Sequence, residues 1–181
     1  MSSPFQTIHS SIRFACPWYK VRQSDIILPD GTVGQYNVVD VPPCAFVVPV
    51  TAEGYMLLIK QYRYPHNSWV WEIPAGAIHA GETMLASAQT ELREEVGGES
   101  DDWHYLGEYK TANGRSNEVA HLYLALNVTI RHETAHESAE VLTVHPTPIP
   151  DVIQMIQNNE LRDAPSALAI MLALPHLQTT F

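Results

Sequence analysis

The chain has 181 residues, enough for one domain with a small appendage and a substantial core. Apolar residues make up 45% and charged residues 17%, an ordinary globular balance that excludes a disordered or low-complexity chain. Ten Lys and Arg against twenty Asp and Glu leave a net charge of −10, which argues against nucleic-acid or anionic-membrane partners, since both require clustered cations.

An anionic small molecule would therefore have to be received by metal ions or a few local arginines. Cys16 and Cys44 form no CxxC pair, so neither a disulfide framework nor a zinc ribbon is indicated. Free thiols suit a reducing, cytoplasmic setting. The opening MSSPFQTIHSSIRF lacks the basic start and apolar run of a signal peptide, and no apolar stretch is long enough to span a bilayer.

Residues 11–40 read as a strand-rich section. One strand is expected from Trp18, and Pro29-Asp30-Gly31 is a hairpin signal between extended runs. Val33 to Val41 returns as a strand, and Pro42-Pro43 marks a boundary. The expected organisation is thus a β-rich section over 1–42 and a main domain over 43–181. In the latter, strands are expected at Ala45–Val50, Tyr55–Ile59 and 69–73, with Pro74-Ala75-Gly76 ending the third.

From Thr83 to Val96 the period becomes helical: Leu85, Ala88, Leu92 and Val96 make one apolar stripe, stopped by Gly97-Gly98. Further strands are expected near 103–110, 118–127 and 140–145, and two helices near 150–159 and 164–174. Strands both precede and follow the central helix. The fold class expected is α/β (α+β), a mixed sheet with helices packed on it.

The central helix carries Glu91, Glu94 and Glu95. At 100° per residue Glu95 lies about 40° from Glu91, and Glu94 about 60° to its other side. Three carboxylates thus share a narrow stripe beside the apolar one, an arrangement that costs stability unless a cation offsets it. Carboxylate oxygens suit Mg²⁺, Mn²⁺ or Ca²⁺. A bare ELREE string is ordinarily a solvated acidic face, but its context is specific.

From Gly76 the sequence reads GAIHAGETMLASAQTELREEVGG. It resembles the signature of the Nudix hydrolase family, with Gly76, Glu82, Glu91, Leu92, Glu94, Glu95 and Gly97 in register. Two positions depart from it. Thr90 stands where the family has an Arg that steadies the glutamates, and Gly98 where an apolar residue is usual. The first departure implies weaker metal affinity or a reduced rate.

Across nearly the whole chain, the stretches LLIKQYRY and WEIPAG and the segment from Trp18 to Tyr36 resemble the ADP-ribose pyrophosphatase branch. That resemblance implies a Nudix-type sheet sandwiched between helices and a homodimer built by the N-terminal section. It implies Mg²⁺, with Mn²⁺ as a substitute, held by Glu91, Glu94, Glu95 and the Ala75 carbonyl. Arg63 would grip the pyrophosphate, Glu72 would touch polar groups or anchor its loop, and Trp18 and Tyr36 would stack on adenine. Glu94 and Glu95 would be catalytic, with a late-loop base for which Glu137 is chosen over Glu133 and Glu140. The implied reaction takes ADP-ribose to AMP and ribose 5-phosphate. A non-hydrolysing sensor of the same fold is the alternative, since Thr90 weakens the metal cluster.

A second motif, His132-Glu133-Thr134-Ala135-His136, matches the HExxH of zinc proteases. That motif works only on a helix, and its strand-like flanks argue against one. His79, His104 and His121 follow no ligand spacing and read as structural or surface residues.

Overall fold

The computed structural model describes residues 3–136 and 140–177. Its contacts divide into two units, one holding the described residues through Pro43 with Lys110–Val119, the other Cys44–Tyr109 and the described residues from Ala120 onward.

Pro17 decides the first hairpin. It fixes φ in the turn between β1 (Gln6–Ala15) and β2 (Lys20–Ile27), where the Cys16 N–H donates to the Tyr19 carbonyl at 3.0 Å. Trp18 therefore sits at the hairpin tip, 74% exposed, and the strand expected to start there starts at Lys20. The strand-rich section also begins at residue 6, earlier than its polar sequence suggests. The Asp-Gly turn forms as expected, with Gly31 at φ 85° and Asp30 Oδ1 accepting from the Thr32 N–H at 3.0 Å. It leads into β3 (Val33–Asp40), giving an antiparallel sheet in the order β1-β2-β3. Arg22 makes a two-pronged pair with Asp40, Nε to Oδ2 at 2.7 Å and Nη2 to Oδ1 at 2.9 Å. The segment 110–119 closes on β3, the Val39 N–H donating to the Arg115 carbonyl at 2.8 Å.

After β3 the chain runs β4 (Cys44–Pro49), β5 (Tyr55–Arg63), β6 (Ser68–Glu72), β7 (Ala75–Ala77), α1 (Met84–Val96), β8 (Gly98–Glu99), β9 (Asp102–Lys110), β10 (Val119–Leu126), β11 (Thr129–Ile130), β12 (Leu142–Pro148), α2 (Ile149–Gln157) and α3 (Ala164–Leu177), all in the second unit but for Lys110 and Val119. One sheet has the order β7-β4-β10-β9, with β4 and β10 parallel and β7 antiparallel to β4. Another, β12-β5-β6, is antiparallel throughout.

The two-residue period of the strands divides the core. Ala45, Val47, Leu57, Ile59, Tyr123 and Ala125 point to the α1 side and pack with Ala88, Leu92 and Val96. Val48, Met56, Leu58, Leu122 and Leu124 point the other way, to Val152 of α2 and Ala169, Ile170 and Ala173 of α3. The expected α/β arrangement, a mixed sheet between helices, is the one observed. Within the helical stripe Leu85 differs, remaining 37% exposed while the other three positions are buried.

Pro74 interrupts the chain as expected, but pairing resumes at once in the short β7, whose Gly76 and Ala77 face β4. Gly97 ends α1 in the left-handed region, φ 68°, with its N–H on the Arg93 carbonyl. The unusual Gly98 also has a steric reason. A Cβ there would lie 2.9 Å from Val128 Cγ1 and 3.1 Å from Leu92 Cδ1, so neighbouring side chains already fill that volume.

Candidate active site

The site begins with the absence of a side chain. A Cβ on Gly76 would fall 1.9 Å from Glu91 Oε1, so the carboxylate occupies space that any other residue would fill. Between β7 and α1, Thr83 caps the helix by accepting the Ala86 N–H at 3.1 Å. Glu82 Oε2 accepts from the buried Ser87 hydroxyl at 2.8 Å, which ties the loop to the first turns of α1.

Glu95 points from α1 beneath β7. It is only 3% exposed, and its Oε2 accepts the Ala75 N–H at 2.9 Å. Burial and the neighbouring Glu91 charge push its pKa up to about 8, while the Ala75 N–H pulls in the opposite direction. Glu91, Glu94 and Glu95 line one pocket together with Glu82, Glu140, His79 and Thr90. Among the described residues lining it, five are carboxylates and none is Lys or Arg. Thr90 thus borders the pocket without supplying the family's countercharge.

These donors fit a hard divalent cation, because like carboxylates crowded in a partly buried pocket need a positive charge to ionise together. Among the described residues no group of three carboxylate or imidazole side chains already converges as a metal cluster.

Beside the pocket, Arg63 at the end of β5 forks onto Glu72 at the end of β6, with Nε to Oε1 at 2.8 Å and Nη2 to Oε2 at 2.5 Å. Glu72 is buried at 5% exposure, and its partner holds it in place. The next residues are pinned from behind. Ser166 of α3 accepts the Ile73 N–H at 3.1 Å and donates to Asp163 Oδ2 at 2.6 Å. Sequence reasoning missed this support. Its one visible trace was an Asp three residues ahead of a Ser at a helix start, a common capping pattern.

The HExxH stretch is not helical. It caps the C-terminal end of α1 instead: the Ala135 N–H donates to the Glu94 carbonyl at 2.8 Å, and His136 Nε2 to the Glu95 carbonyl at 3.1 Å. His132 Nε2 meets Glu99 Oε1 at 2.5 Å. The two imidazoles serve different partners, so the zinc-protease alternative, which the strand-like flanks already argued against, falls away. The same bonds fix the start of the late loop against the acidic helix.

Of the late-loop glutamates, Glu140 lines the pocket and Glu133 is exposed, while Glu137 lies outside the described residues. Trp18 and Tyr36 belong to the N-terminal unit, where Tyr36 is 42% exposed and donates its hydroxyl to the Gly114 carbonyl at 2.9 Å.

A family model described as NUDIX domain matches residues 41–167. The chain belongs to the NUDIX family. An ADP-ribose pyrophosphatase of Mycobacterium tuberculosis is 31% identical over 180 residues, covering 98% of this chain and 86% of the relative. A methanol dehydrogenase activator of Bacillus methanolicus is 27% identical over 166 residues, covering 91% and 90%. A solved structure titled as an ADP compounds hydrolase has a TM-score of 0.85 at 19% identity, covering 97% of this chain and 95% of its own, and shares the fold. The NUDIX match includes every described residue that lines the acidic pocket.

Proposed function

We propose that this NUDIX protein hydrolyses the pyrophosphate of ADP-ribose, releasing AMP and ribose 5-phosphate, with Mg²⁺ as the metal and Mn²⁺ able to replace it. The observation that carries this reading is the pocket of five carboxylates, the buried Glu95 among them, three of which stand on α1. The mycobacterial relative's name supports the choice of ADP-ribose.

Glu91, Glu94, Glu95 and the Ala75 carbonyl would hold the cation, which supplies charge neutralisation on the pyrophosphate and a lowered pKa for bound water. Arg63 orients the substrate. Glu72 uses only part of its five-donor fork, leaving donor directions that suit phosphate oxygens. Glu72 keeps that fork aimed. Glu140 is the proposed base in place of Glu137, because it faces the same pocket and can take the proton of an attacking water. Trp18 and Tyr36 stand as proposed adenine-stacking residues, a homodimer as the proposed assembly and the cytoplasm as the proposed setting.

The test is AMP release from a panel of nucleoside diphosphate sugars with and without Mg²⁺, for wild type, Glu95→Gln and Glu140→Gln. Mg²⁺-dependent release that falls at least a hundredfold in Glu95→Gln is expected, with ADP-ribose the best substrate. Glu140→Gln should lower kcat at unchanged metal affinity. Binding of ADP-ribose without release would replace the hydrolase by a nucleotide-sugar sensor.

A further inference from the structure

The acidic pocket is rich in acceptors and poor in donors. Of the described residues that line it, Glu82, Glu91, Glu94, Glu95 and Glu140 only accept hydrogen bonds once ionised, and Ala77 brings no polar side-chain atom. Ser87 has a hydroxyl, but it donates to Glu82 Oε2 at 2.8 Å. Thr90 and His79 are left with side-chain donors. Thr90 stands on α1, where a threonine hydroxyl has the carbonyl four residues earlier as a ready acceptor. His79 is exposed, and among the described residues no hydrogen-bond partner engages its imidazole.

The backbone that carries this imidazole is held on both sides. Ile78 is buried at 8% exposure in the core beneath α1. The His79 carbonyl accepts the Glu82 N–H at 3.1 Å, closing a turn. Within it Gly81, at φ 92°, has the left-handed conformation that the third position of a type II turn requires. Glu82 is tied in turn to Ser87, and Thr83 caps α1. A ring without a structural partner is thus presented to the acidic pocket from a fixed loop.

We propose that His79 is a substrate-binding residue that donates an imidazole N–H to a nonbridging oxygen of the pyrophosphate. This deepens the proposed function and rests on that reading's bound pyrophosphate. Pyrophosphate oxygens accept hydrogen bonds and metal ions, and the carboxylates of the pocket repel them. The Arg63 fork lies beside the pocket and is not among the described residues lining it. Thr90 replaces the one cation that the family pattern places on α1. A donor from the loop fills that gap, and imidazole carries an N–H in either tautomer, so the contact does not require a charged ring. The phosphates are common to all nucleoside diphosphate sugars, so His79 strengthens the hold on the pyrophosphate and is indifferent to base and sugar.

The experiment compares wild type with His79→Phe, which keeps a flat ring and removes both nitrogens, and His79→Gln, which keeps a neutral donor. Because His79 is exposed, both variants should retain the wild-type thermal midpoint. Calorimetry then follows Mg²⁺ added to the free protein, and inorganic pyrophosphate added with Mg²⁺ present. Mg²⁺ binding should be unaltered in both variants. Pyrophosphate should bind about tenfold more weakly to His79→Phe and within about threefold of wild type to His79→Gln. The kcat/KM of His79→Phe should fall by a similar factor for ADP-ribose and for every other nucleoside diphosphate sugar that wild type cleaves. Wild-type affinity for pyrophosphate in His79→Phe would overturn the proposal. Equal losses in the two variants would show that the ring's shape matters rather than its N–H, and weakened Mg²⁺ binding would make His79 a metal ligand; either overturns it too. If wild type released no AMP from any nucleoside diphosphate sugar, the hydrolase reading would fail while the pyrophosphate titration still decided this proposal. A wild type that bound no pyrophosphate would overturn it outright.

Discussion

Glu95 is held in a protonated state that the proposed chemistry does not want. Its carboxyl has an ordinary pKa of 4.5 and about 8 in the folded chain, chiefly through burial and then through Glu91. In the metal-free protein the folded state therefore keeps a proton that the unfolded state loses above pH 4.5. Stability contributed by this group is present below pH 4.5 and declines as pH rises toward 8, by a few kcal/mol at most. Thermal melts in chelator should show that decline, and Glu95→Gln should flatten it. A wild-type midpoint that did not fall across this window would contradict the assignment. Added Mg²⁺ should reverse the trend, because a cation displaces the proton and binds more tightly as pH rises. The acidic stripe was legible in the spacing of Glu91, Glu94 and Glu95, but the burial of Glu95 was not. Helical periodicity places a residue on a face; it does not say that Ala75 will lie over it.

At the scale of elements, the site is an apposition of β7 and α1, and Gly76 sets its closeness. Its φ lies outside the left-handed region, so an alanine there would not strain the backbone. What Ala would disturb is Glu91, whose Oε1 lies 1.9 Å from the added carbon. The carboxylate is the far end of a flexible side chain, which can shift. Gly76→Ala should therefore leave the thermal midpoint unchanged or slightly raised while weakening Mg²⁺ binding roughly 10- to 100-fold. Calorimetric metal titration beside a melt would check both halves; a large loss of stability would mean that Gly76 serves folding first. The central helix, its cap and most strands followed from period and turn chemistry. The two-residue β8 and β11 did not, since pairs that short are made by tertiary contact rather than by local preference. Nor did the Ser166 support, because it joins residues 93 positions apart in sequence.

At the scale of the molecule, β1 poses a problem that one chain leaves unsolved. It is a ten-residue edge strand, exposed along nearly its whole length, with Ile8, Ile12 and Phe14 each about half exposed. Long apolar edges invite pairing unless they are protected, and β1 carries neither Pro nor Lys to discourage it. Two bulges, at Thr7/His9 and Ile12/Phe14, and the single charge of Arg13 are its visible protection. A second copy presents the same edge, and a two-fold axis would pair the two strands. Sedimentation should therefore find a dimer for the wild-type chain and a monomer for Ile8→Lys/Ile12→Lys. Both changes lie in the N-terminal unit, away in sequence from the acidic pocket, so Mg²⁺ binding should persist in the monomer. If Trp18 and Tyr36 stack on adenine only within the assembled dimer, KM for ADP-ribose should rise in that monomer while inhibition by inorganic pyrophosphate stays constant. A monomeric wild type would remove the homodimer, and a monomeric variant with unchanged KM would remove the stacking role while leaving the assembly intact.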